Sequence, residues 1–380
     1  MTAAPAAEFS KGLVGVVAAQ TALSSVDGQN GVLTYLGINI HDLAGRAGFE
    51  EIVYLLWHGK LPEADELAAF KQDLAEAREL PPDVIELLRA VPKEAVPMAV
   101  LRTAVSALAF SDPEVEDISI EATRRKGVRL TAQIPTIVAA FGRLRRDLEP
   151  VAPRADLGHA ANFLYTLNSQ EADPLKARSL DLYLVLLADH SLNASTFTAR
   201  VVASTNADLH TATTAALSAL KGNLHGGAAE GTMRMLLEIG SVEKVDGYVA
   251  GAFARRQKIM GIGHRIYKTG DPRTGHLLEW ARQLEQAEGM GGQYVDMAKE
   301  VEQSVQRHRQ LYPNVDFFSA PLLYYIGIPL DLFTCVFAVS RIAGWTAHVI
   351  EQYKDDTLIR PAAQYIGPKE QSYVPVTDRK

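Results

Sequence analysis

The sequence predicts a mainly α-helical protein with two domains, on three observations. Apolar residues recur at helical spacing in three early stripes: Phe49, Ile52, Val53 and Leu56; Val84, Leu87, Leu88 and Val91; Leu101, Ala104, Val105 and Leu108. Glycine or proline bounds each stripe, at Gly59, Pro62, Pro81, Pro82 and Pro113, which indicates helices of medium length with short connections. Strand-like alternation is scarce, and its best candidate is residues 31–40, where we expect a small hairpin.

The expected domain division follows from length and from the distribution of glycine. A chain of 380 residues is long enough for a large domain and a smaller one. Glycines crowd residues 222–231, 261–275 and 289–292, where they let backbone approach a ligand closely. We therefore expect residues 1–220 to begin the large domain, 221–329 to form an inserted small domain, and 330–380 to return to the large domain. The cleft then lies between the two domains.

Composition excludes several classes of protein. The net charge of −7 argues against a nucleic-acid surface, which needs a clustered excess of basic residues. The longest stretch without charge, Gly12 to Val26, is shorter than a membrane span and contains polar residues. The first eleven residues do not resemble a secretion signal, so the expected location is the cytoplasm. The single cysteine, Cys335, fits a reducing compartment and is expected in the core.

His225 is the first candidate catalytic residue. It lies in a glycine-rich break, Asn-Leu-His-Gly-Gly-Ala-Ala-Glu, directly before a predicted helix from Glu230 to Ile239. A helix N-terminus lowers the pKa of a nearby histidine, and a neutral imidazole can donate a hydrogen bond to an enol oxygen. The alternative is a loop histidine that caps the helix.

His264 lies in the segment from Lys258 to Arg273, where glycines, a titratable ring and several cations occur together. Such a segment can hold an anion through backbone amides while it presents an acid or base. It is not a dinucleotide-binding fingerprint, because Ile266 occupies the position of the third glycine. The alternative is a basic surface loop around a structural histidine.

Asp316 is an acid among aromatic and apolar residues, in Pro-Asn-Val-Asp-Phe-Phe-Ser-Ala-Pro-Leu. Burial would raise its pKa, as a base that takes a proton from carbon requires. The alternative is a helix N-cap ahead of Phe317.

Cationic residues in apolar surroundings predict an anion site. Arg341 interrupts an apolar helical stripe, and its guanidinium needs a carboxylate, either from a small dicarboxylate ligand or from an internal ion pair. Arg273 and Arg360 complete the set of arginines, while the sequence around His190 favours neither a ligand-binding nor a core role. Metal binding is not expected, because the ten histidines include no pair at i, i+4 and there is one cysteine.

These motifs resemble those of the citrate synthase family, and the likeness extends from Lys11 to Gly367. It includes residues 193–200, Pro313-Asn-Val-Asp-Phe, and Arg341 with Gly-Trp-Thr-Ala-His at 344–348. The resemblance implies an almost entirely α-helical homodimer whose large and small domains close over the substrates. It also implies an acyltransferase of the tricarboxylic acid cycle that condenses acetyl-CoA with oxaloacetate and water to give citrate and coenzyme A. No permanently bound cofactor is implied, since coenzyme A is a substrate and product.

The resemblance assigns roles by position. Asp316 takes a proton from the acetyl-CoA methyl group, His225 hydrogen-bonds the thioester oxygen, and His264 polarises the ketone of oxaloacetate. His190, Arg273 and Arg341 match oxaloacetate-binding positions, and Arg360 matches one that reaches across from the partner subunit. The positions that match coenzyme A contacts are Lys258, Ile259, Gly261, Ile262, Gly263, Lys268 and Asn314.

Two positions depart from the family pattern. Leu36 stands where many members have arginine, and Ile262 stands where an aromatic residue is frequent. A 2-methylcitrate synthase that uses propionyl-CoA would employ the same machinery, so it remains an alternative. The contrasting class is a non-catalytic helical binding module, which gives no reason for cations inside apolar stripes.

Overall fold

A computed structural model describes residues 9–289 and 293–379 of the chain. Part of the predicted glycine cluster at 289–292 and most of the N-terminal segment considered as a signal lie outside the described residues. The described residues form sixteen helices: α1 Ile40–Leu43, α2 Phe49–His58, α3 Ala64–Glu76, α4 Pro82–Ala90, α5 Pro97–Leu108, α6 Ile120–Leu144, α7 His159–Asn168, α8 Pro174–Leu187, α9 Ala194–Ala203, α10 Leu209–Leu220, α11 Ala228–Ile239, α12 Val245–Ala254, α13 Thr274–Ala287, α14 Gln293–His308, α15 Val315–Ile326 and α16 Phe333–Asp355. The predicted mainly α fold is confirmed.

Local chemistry sets the ends of these helices. The three apolar stripes fall on α2, α4 and α5, and proline occupies the first turn of α4, α5 and α8, where no N–H is needed. Side chains of Asp173, Asn193 and Asp208 accept backbone N–H groups at the starts of α8, α9 and α10. Gly59 and Gly327 end α2 and α15 in the left-handed conformation that glycine adopts without strain.

One small antiparallel sheet lies near the beginning of the described chain. It consists of β1 Ser24–Asp27, β2 Val32–Tyr35 and β3 Ile38–Asn39, in that order. The predicted hairpin corresponds to β2 and β3, which turn at Leu36 and Gly37, both with positive φ. Strand β1 was not predicted, because Ser-Ser-Val-Asp has neither apolar alternation nor β-branched enrichment.

Helix α16 is the centre of the core. It packs against α2, α6, α8, α9 and α10, and nearly all of its side chains are buried. The segment from Leu330 to Asp355 is long and apolar enough to cross a membrane, but its most apolar stretch of 18 residues is buried inside the protein. A continuous apolar helix of this kind is the expected core element of a large helical domain.

Helices α11 to α15 fall within residues 221–329 and pack on one another. The main contacts join α13 to α15, α11 to α15, and α12 to α14. This group meets the other helices along α8, which contacts both α13 and α15. The connection between α12 and α13, residues 255–273, contains no helix and lies beside the start of α15. It carries His264 and Arg273.

Candidate active site

Six of the predicted site residues converge from separate segments of the chain. They are His190 after α8, His225 before α11, His264 and Arg273 in the connection before α13, Asp316 in α15 and Arg341 in α16. The rings of His190 and His264 are 5.6 Å apart between centroids. Burial lowers the pKa of His190 and His225 and raises that of Asp316, and the positive charge of Arg341 acts on all three groups, so it lies near them.

Asp316 is a buried carboxyl group without a hydrogen-bond partner. Only 7% of the residue is exposed, and its Oδ1 contacts no donor among the described residues. Burial raises its pKa to about 7, against the opposing effect of the Arg273 charge. The cap of α15 is Asn314, whose side chain accepts the N–H of Asp316 at 3.0 Å, so the N-cap alternative for Asp316 does not hold. The carboxyl group is free to accept a proton near neutral pH.

His264 has a defined tautomer. Its Nδ1 accepts the backbone N–H groups of Ile266 and Tyr267, both at 3.0 Å. Nδ1 therefore carries no proton, and the proton of the neutral ring is on Nε2. Burial lowers the pKa of His264 to about 4, although the nearby Asp271 raises it. At neutral pH the ring is an uncharged donor through Nε2.

His225 is also held neutral, for a reason that differs from the prediction. Burial is the main cause that lowers its pKa to about 4, and the charge of Arg341 adds to it. Helix α11 begins at Ala228, with Gly227 as its cap, so His225 is neither the cap nor in the first turn. Its ring lies 6.2 Å from that of Phe337, between centroids.

Ser195 is a polar neighbour of His225 that sequence reasoning missed. Its Oγ lies 2.8 Å from His225 Nε2, 2.8 Å from Asn193 Oδ1, and 3.1 Å from Trp345 Nε1, which donates to it. The hydroxyl donates its proton to Asn193 Oδ1, and its contact with Nε2 holds the orientation of the His225 ring. The available signal was the segment Asn-Ala-Ser, but its spacing is typical of a helix start, and Asn193 does cap α9.

Arg273 is buried and fixed by one carboxylate. Its Nε and Nη2 donate to the two oxygens of Asp271, at 2.9 and 2.7 Å. Asp271 also accepts the N–H of Val315 at 3.1 Å, which ties the arginine to the start of α15. Nη1 of Arg273 is buried without a partner among the described residues. Since a buried donor of this kind is costly, it indicates room for an acceptor supplied by a ligand.

Arg341 is buried without an ion pair. Its Nε donates to the carbonyl of Leu187 at 2.7 Å, and its guanidinium lies 4.7 Å from the centre of the Phe337 ring. Within residues 9–289 and 293–379, no carboxylate lies within 4.0 Å of it, so the alternative of an internal ion pair does not hold. Burial lowers its pKa, and the more distant charge of Asp189 opposes that effect. Arg273 and Arg341 are both buried, but only Arg273 has a carboxylate partner, Asp271. The excess of positive charge suits a small dianion.

His190 joins this group through Tyr267. Its Nε2 lies 3.1 Å from the Tyr267 hydroxyl, and both residues are buried. Burial, together with the charges of Arg273 and Arg341, lowers the pKa of His190 well below its usual value. The ring is therefore neutral beside the two arginines.

The predicted coenzyme A segment is fastened to the start of α15. Asn314 donates its N–H to the Gly261 carbonyl at 2.9 Å and its side-chain N–H to the Gly263 carbonyl at 3.0 Å. Gly261 has φ +72°, and a Cβ there would lie 2.9 Å from the Cα of Phe317, so only glycine fits. Ile262 forms a β-bridge with Pro313, and Ile259 is buried. Lys258 and Lys268 are exposed.

Arg360 does not join the six converging site residues of its own chain. It lies after α16, is exposed, and makes no hydrogen bond or ion pair with the residues that the structure describes. Over the same residues, no group of three or more histidine, cysteine, aspartate or glutamate side chains is arranged to hold a metal ion.

Comparison with known proteins gives a consistent result. The family model described as "Citrate synthase, C-terminal domain" matches residues 12–362. "Citrate synthase 2" of Bacillus subtilis is 49% identical and covers 97% of this chain and 99% of its own length. "2-methylcitrate synthase 2" of Corynebacterium glutamicum is 39% identical and covers 100% of both chains.

A solved structure agrees in fold over the whole chain. It is the ternary complex of citrate synthase from Thermoplasma acidophilum with carboxymethyl coenzyme A and oxaloacetate, with a TM-score of 0.92 and 33% identity. The alignment covers 98% of this chain and 100% of that one. With the family match, the full-length relatives and the shared fold, the chain belongs to the citrate synthase family.

Proposed function

We propose that Asp316, His225 and His264 are the catalytic residues of a citrate synthase. The enzyme condenses acetyl-CoA with oxaloacetate and water to give citrate and coenzyme A, as its family membership indicates. The observation that carries the residue assignment is the buried Asp316 carboxyl group, which has a pKa of about 7 and no protein hydrogen bond to its Oδ1. An acid in that state, beside two neutral imidazoles, suits proton removal from carbon.

In the first step, the methyl group of acetyl-CoA loses a proton to Asp316. A thioester methyl group is a very weak acid, so a single carboxylate is insufficient without stabilisation of the oxygen on which charge develops. The neutral ring of His225 supplies that stabilisation through a hydrogen bond to the thioester oxygen. Burial keeps this ring uncharged, so it can donate without becoming a strong acid itself.

In the second step, the enol carbon forms a bond to the ketone carbon of oxaloacetate. His264 donates from Nε2 to the ketone oxygen, where negative charge develops as the carbonyl bond opens. Arg273, Arg341 and His190 bind the two carboxylates of oxaloacetate. Water then cleaves the thioester of citryl-CoA, which releases citrate and the thiol of coenzyme A.

The coenzyme A site follows from the fastened segment at 258–263. Lys258, Ile259, Gly261, Ile262 and Gly263 hold the adenine end, while Lys268 and Asn314 make further contacts. The two hydrogen bonds from Asn314 support this assignment, because they join the segment directly to the helix that carries Asp316. No permanently bound cofactor is required.

The complete enzyme is a homodimer in which Arg360 reaches the active site of the partner. Residues 221–329 form the small domain and close on the rest of the chain, expelling water once oxaloacetate is bound. Exposure of Arg360 on a single chain supports a role at the partner's site. The buried, unpaired Cys335 is compatible with a cytoplasmic enzyme.

The second candidate function is 2-methylcitrate synthesis from propionyl-CoA, which the full-length relative at 39% identity favours. One added methylene is worth only about 1–3 kcal/mol of discrimination, so the same residues serve both reactions.

Kinetics with paired acyl-CoA substrates test this assignment. Purified enzyme is mixed with acetyl-CoA or propionyl-CoA, and thiol release is followed with and without oxaloacetate. We expect release that depends on oxaloacetate, with the higher kcat/KM for acetyl-CoA. A higher kcat/KM for propionyl-CoA would transfer the assignment to the second candidate, and the absence of any oxaloacetate-dependent release would contradict both.

A further inference from the structure

The loop that carries His264 buries one of its side chains. Tyr267 is only 3% exposed, whereas Arg265, Ile266 and Lys268 beside it are exposed. Neither the motif analysis nor the proposed reaction gives this tyrosine a role. Its position between two histidines of the site suggests one.

The side chain of Tyr267 contacts His190. Its hydroxyl lies 3.1 Å from His190 Nε2, which is its only hydrogen-bond partner among the described residues. Burial raises the pKa of Tyr267 above its usual value, so the hydroxyl keeps its proton and has Nε2 as its acceptor. The proton of the neutral His190 ring is then on Nδ1.

The backbone of Tyr267 contacts His264. Its N–H and that of Ile266 both donate to Nδ1 of His264, which leaves the proton of that ring on Nε2. The tyrosine ring also lies against the imidazole, with 4.6 Å between centroids. Tyr267 thus contacts both rings, which lie 5.6 Å apart, and shares the contact to His264 Nδ1 with Ile266.

We propose that Tyr267 is a positioning residue that sets the donor atoms of His190 and His264 toward oxaloacetate, through its hydroxyl for the first ring and its backbone N–H for the second. The inference rests on the proposed function, because it assumes that these rings meet oxaloacetate. It separates the two contributions: the hydroxyl serves substrate binding, and the backbone N–H serves polarisation of the ketone. A substrate with only hydrogen-bond acceptors requires such fixed donors.

The variant Tyr267→Phe tests this separation, because it removes the hydroxyl and keeps both the ring and the backbone N–H. We expect the Kd of oxaloacetate from calorimetry, and its KM, to rise about 10-fold, since a buried imidazole nitrogen loses its donor. We expect kcat to stay within about twofold, because the contacts to His264 Nδ1 remain.

The matched control is Tyr353→Phe. It removes a hydroxyl that donates to the Ala207 carbonyl at 2.6 Å, on α16 but outside the cluster. This control should lower Tm without changing the Kd or KM of oxaloacetate, as a merely structural tyrosine would.

Two results would overturn the inference. One is an unchanged Kd in Tyr267→Phe, and the other is a kcat that falls as much as binding weakens. Failure of the proposed function is recognised separately, because the wild-type enzyme would then release no thiol in the presence of oxaloacetate. The comparison of Kd values still decides the role of Tyr267 in that case.

Discussion

Burial determines the protonation state of each proposed catalytic side chain. It raises the pKa of Asp316 to about 7 and lowers the pKa of His225 and His264 to about 4. A low-dielectric pocket disfavours every charged form, so one cause yields a stronger base and two neutral donors. The same pocket retains the charge of Arg341, whose partner is expected to be the substrate.

The variant Asp316→Asn tests the base directly. An amide has nearly the same shape but cannot accept the methyl proton, so we expect kcat to fall about 1,000-fold. Oxaloacetate should still bind with a Kd close to that of the wild type, because the arginines are untouched. Calorimetry and thiol-release kinetics measure the two quantities, and a kcat near that of the wild type would remove Asp316 from its role.

The same substitution has an expected effect on stability. The pKa of Asp316 is higher in the folded protein than its usual 3.8, so between about pH 4 and 7 the folded state keeps a proton that the unfolded state loses. The free energy of unfolding therefore falls as pH rises through this window. Asparagine does not titrate, so the variant does not lose this stability. Asp316→Asn should have a higher Tm than the wild type at pH 8, with a smaller difference at pH 5.

At the scale of elements, the turn between β1 and β2 supports the loop that holds His264. The carbonyl of Gly28 accepts the N–H of Lys268 at 2.8 Å, and the carbonyl of Gln29 accepts from the Thr269 hydroxyl at 3.3 Å. A Cβ on Gly28 would lie 2.4 Å from the carbonyl oxygen of Ile266, closer than any real contact. The turn between β1 and β2 therefore fixes the position of the loop that carries His264.

The variant Gly28→Ala should displace this loop. Movement of residue 266 changes the two N–H contacts to His264 Nδ1, so we expect kcat to fall about 10- to 100-fold. Gly247→Ala is the matched control, because a Cβ at that position in α12 meets open space. Steady-state kinetics and Tm are measured for both, and an unchanged kcat in Gly28→Ala would show that the turn between β1 and β2 does not position His264.

The periodicity of the sequence predicted the helices well, but it did not predict features that depend on contacts between distant residues. The stripes at 49–56, 84–91 and 101–108 fall on helices because each buries one face, which is a local property of the sequence. Strand β1 could not be predicted, because it is extended through its pairing with β2 and its own composition does not favour a strand. The alternative of Asp316 as the cap of α15 stayed open in the sequence, because Asn314 and Asp316 are both good caps and only the geometry distinguishes them.

The sequence pointed to residues whose own side chains can react with or bind a substrate. It did not point to residues that act by contacting those side chains. His225, His264, Asp316 and Arg341 stand out as polar groups in unusual surroundings. Ser195 and Tyr267 look ordinary, because their importance comes from neighbours far along the chain. The Tyr267→Phe substitution described above tests the positioning role of Tyr267.

At the scale of the whole molecule, apolar residues are exposed near both ends of the described chain. Phe9, Val17, Ile366 and Tyr373 are mostly exposed, and Arg360 lies in the same C-terminal segment. Large apolar side chains that are mostly exposed favour a partner interface. It supports the proposal that the C-terminal segment reaches a second subunit.

Complementation between two inactive variants tests the shared site. Arg360→Ala and Asp316→Asn dimers are mixed and allowed to exchange subunits. Each mixed dimer then contains one site with an intact Asp316 and the partner's intact Arg360, so equal mixing should restore about one quarter of wild-type activity.

Subunit exchange is verified with distinguishable tags, and Arg360→Ala mixed with itself is the control. Activity that stays at the level of the separate variants would place Arg360 in its own chain's site or outside both.

The small sheet also affects the order in which parts of the protein fold. Hydrogen bonds of the sheet and of residues beside it join positions far apart in sequence: Ser24 bonds Asp189 across 165 residues, Thr269 bonds Gln29 across 240, and Ala22 bonds Glu351 across 329. Such pairings have a high contact order and form slowly, because the chain must first close long loops. During synthesis the first strand leaves the ribosome long before Asp189, Thr269 and Glu351 are made. We expect this segment to dock last, so that the enzyme gains activity only when translation is nearly finished.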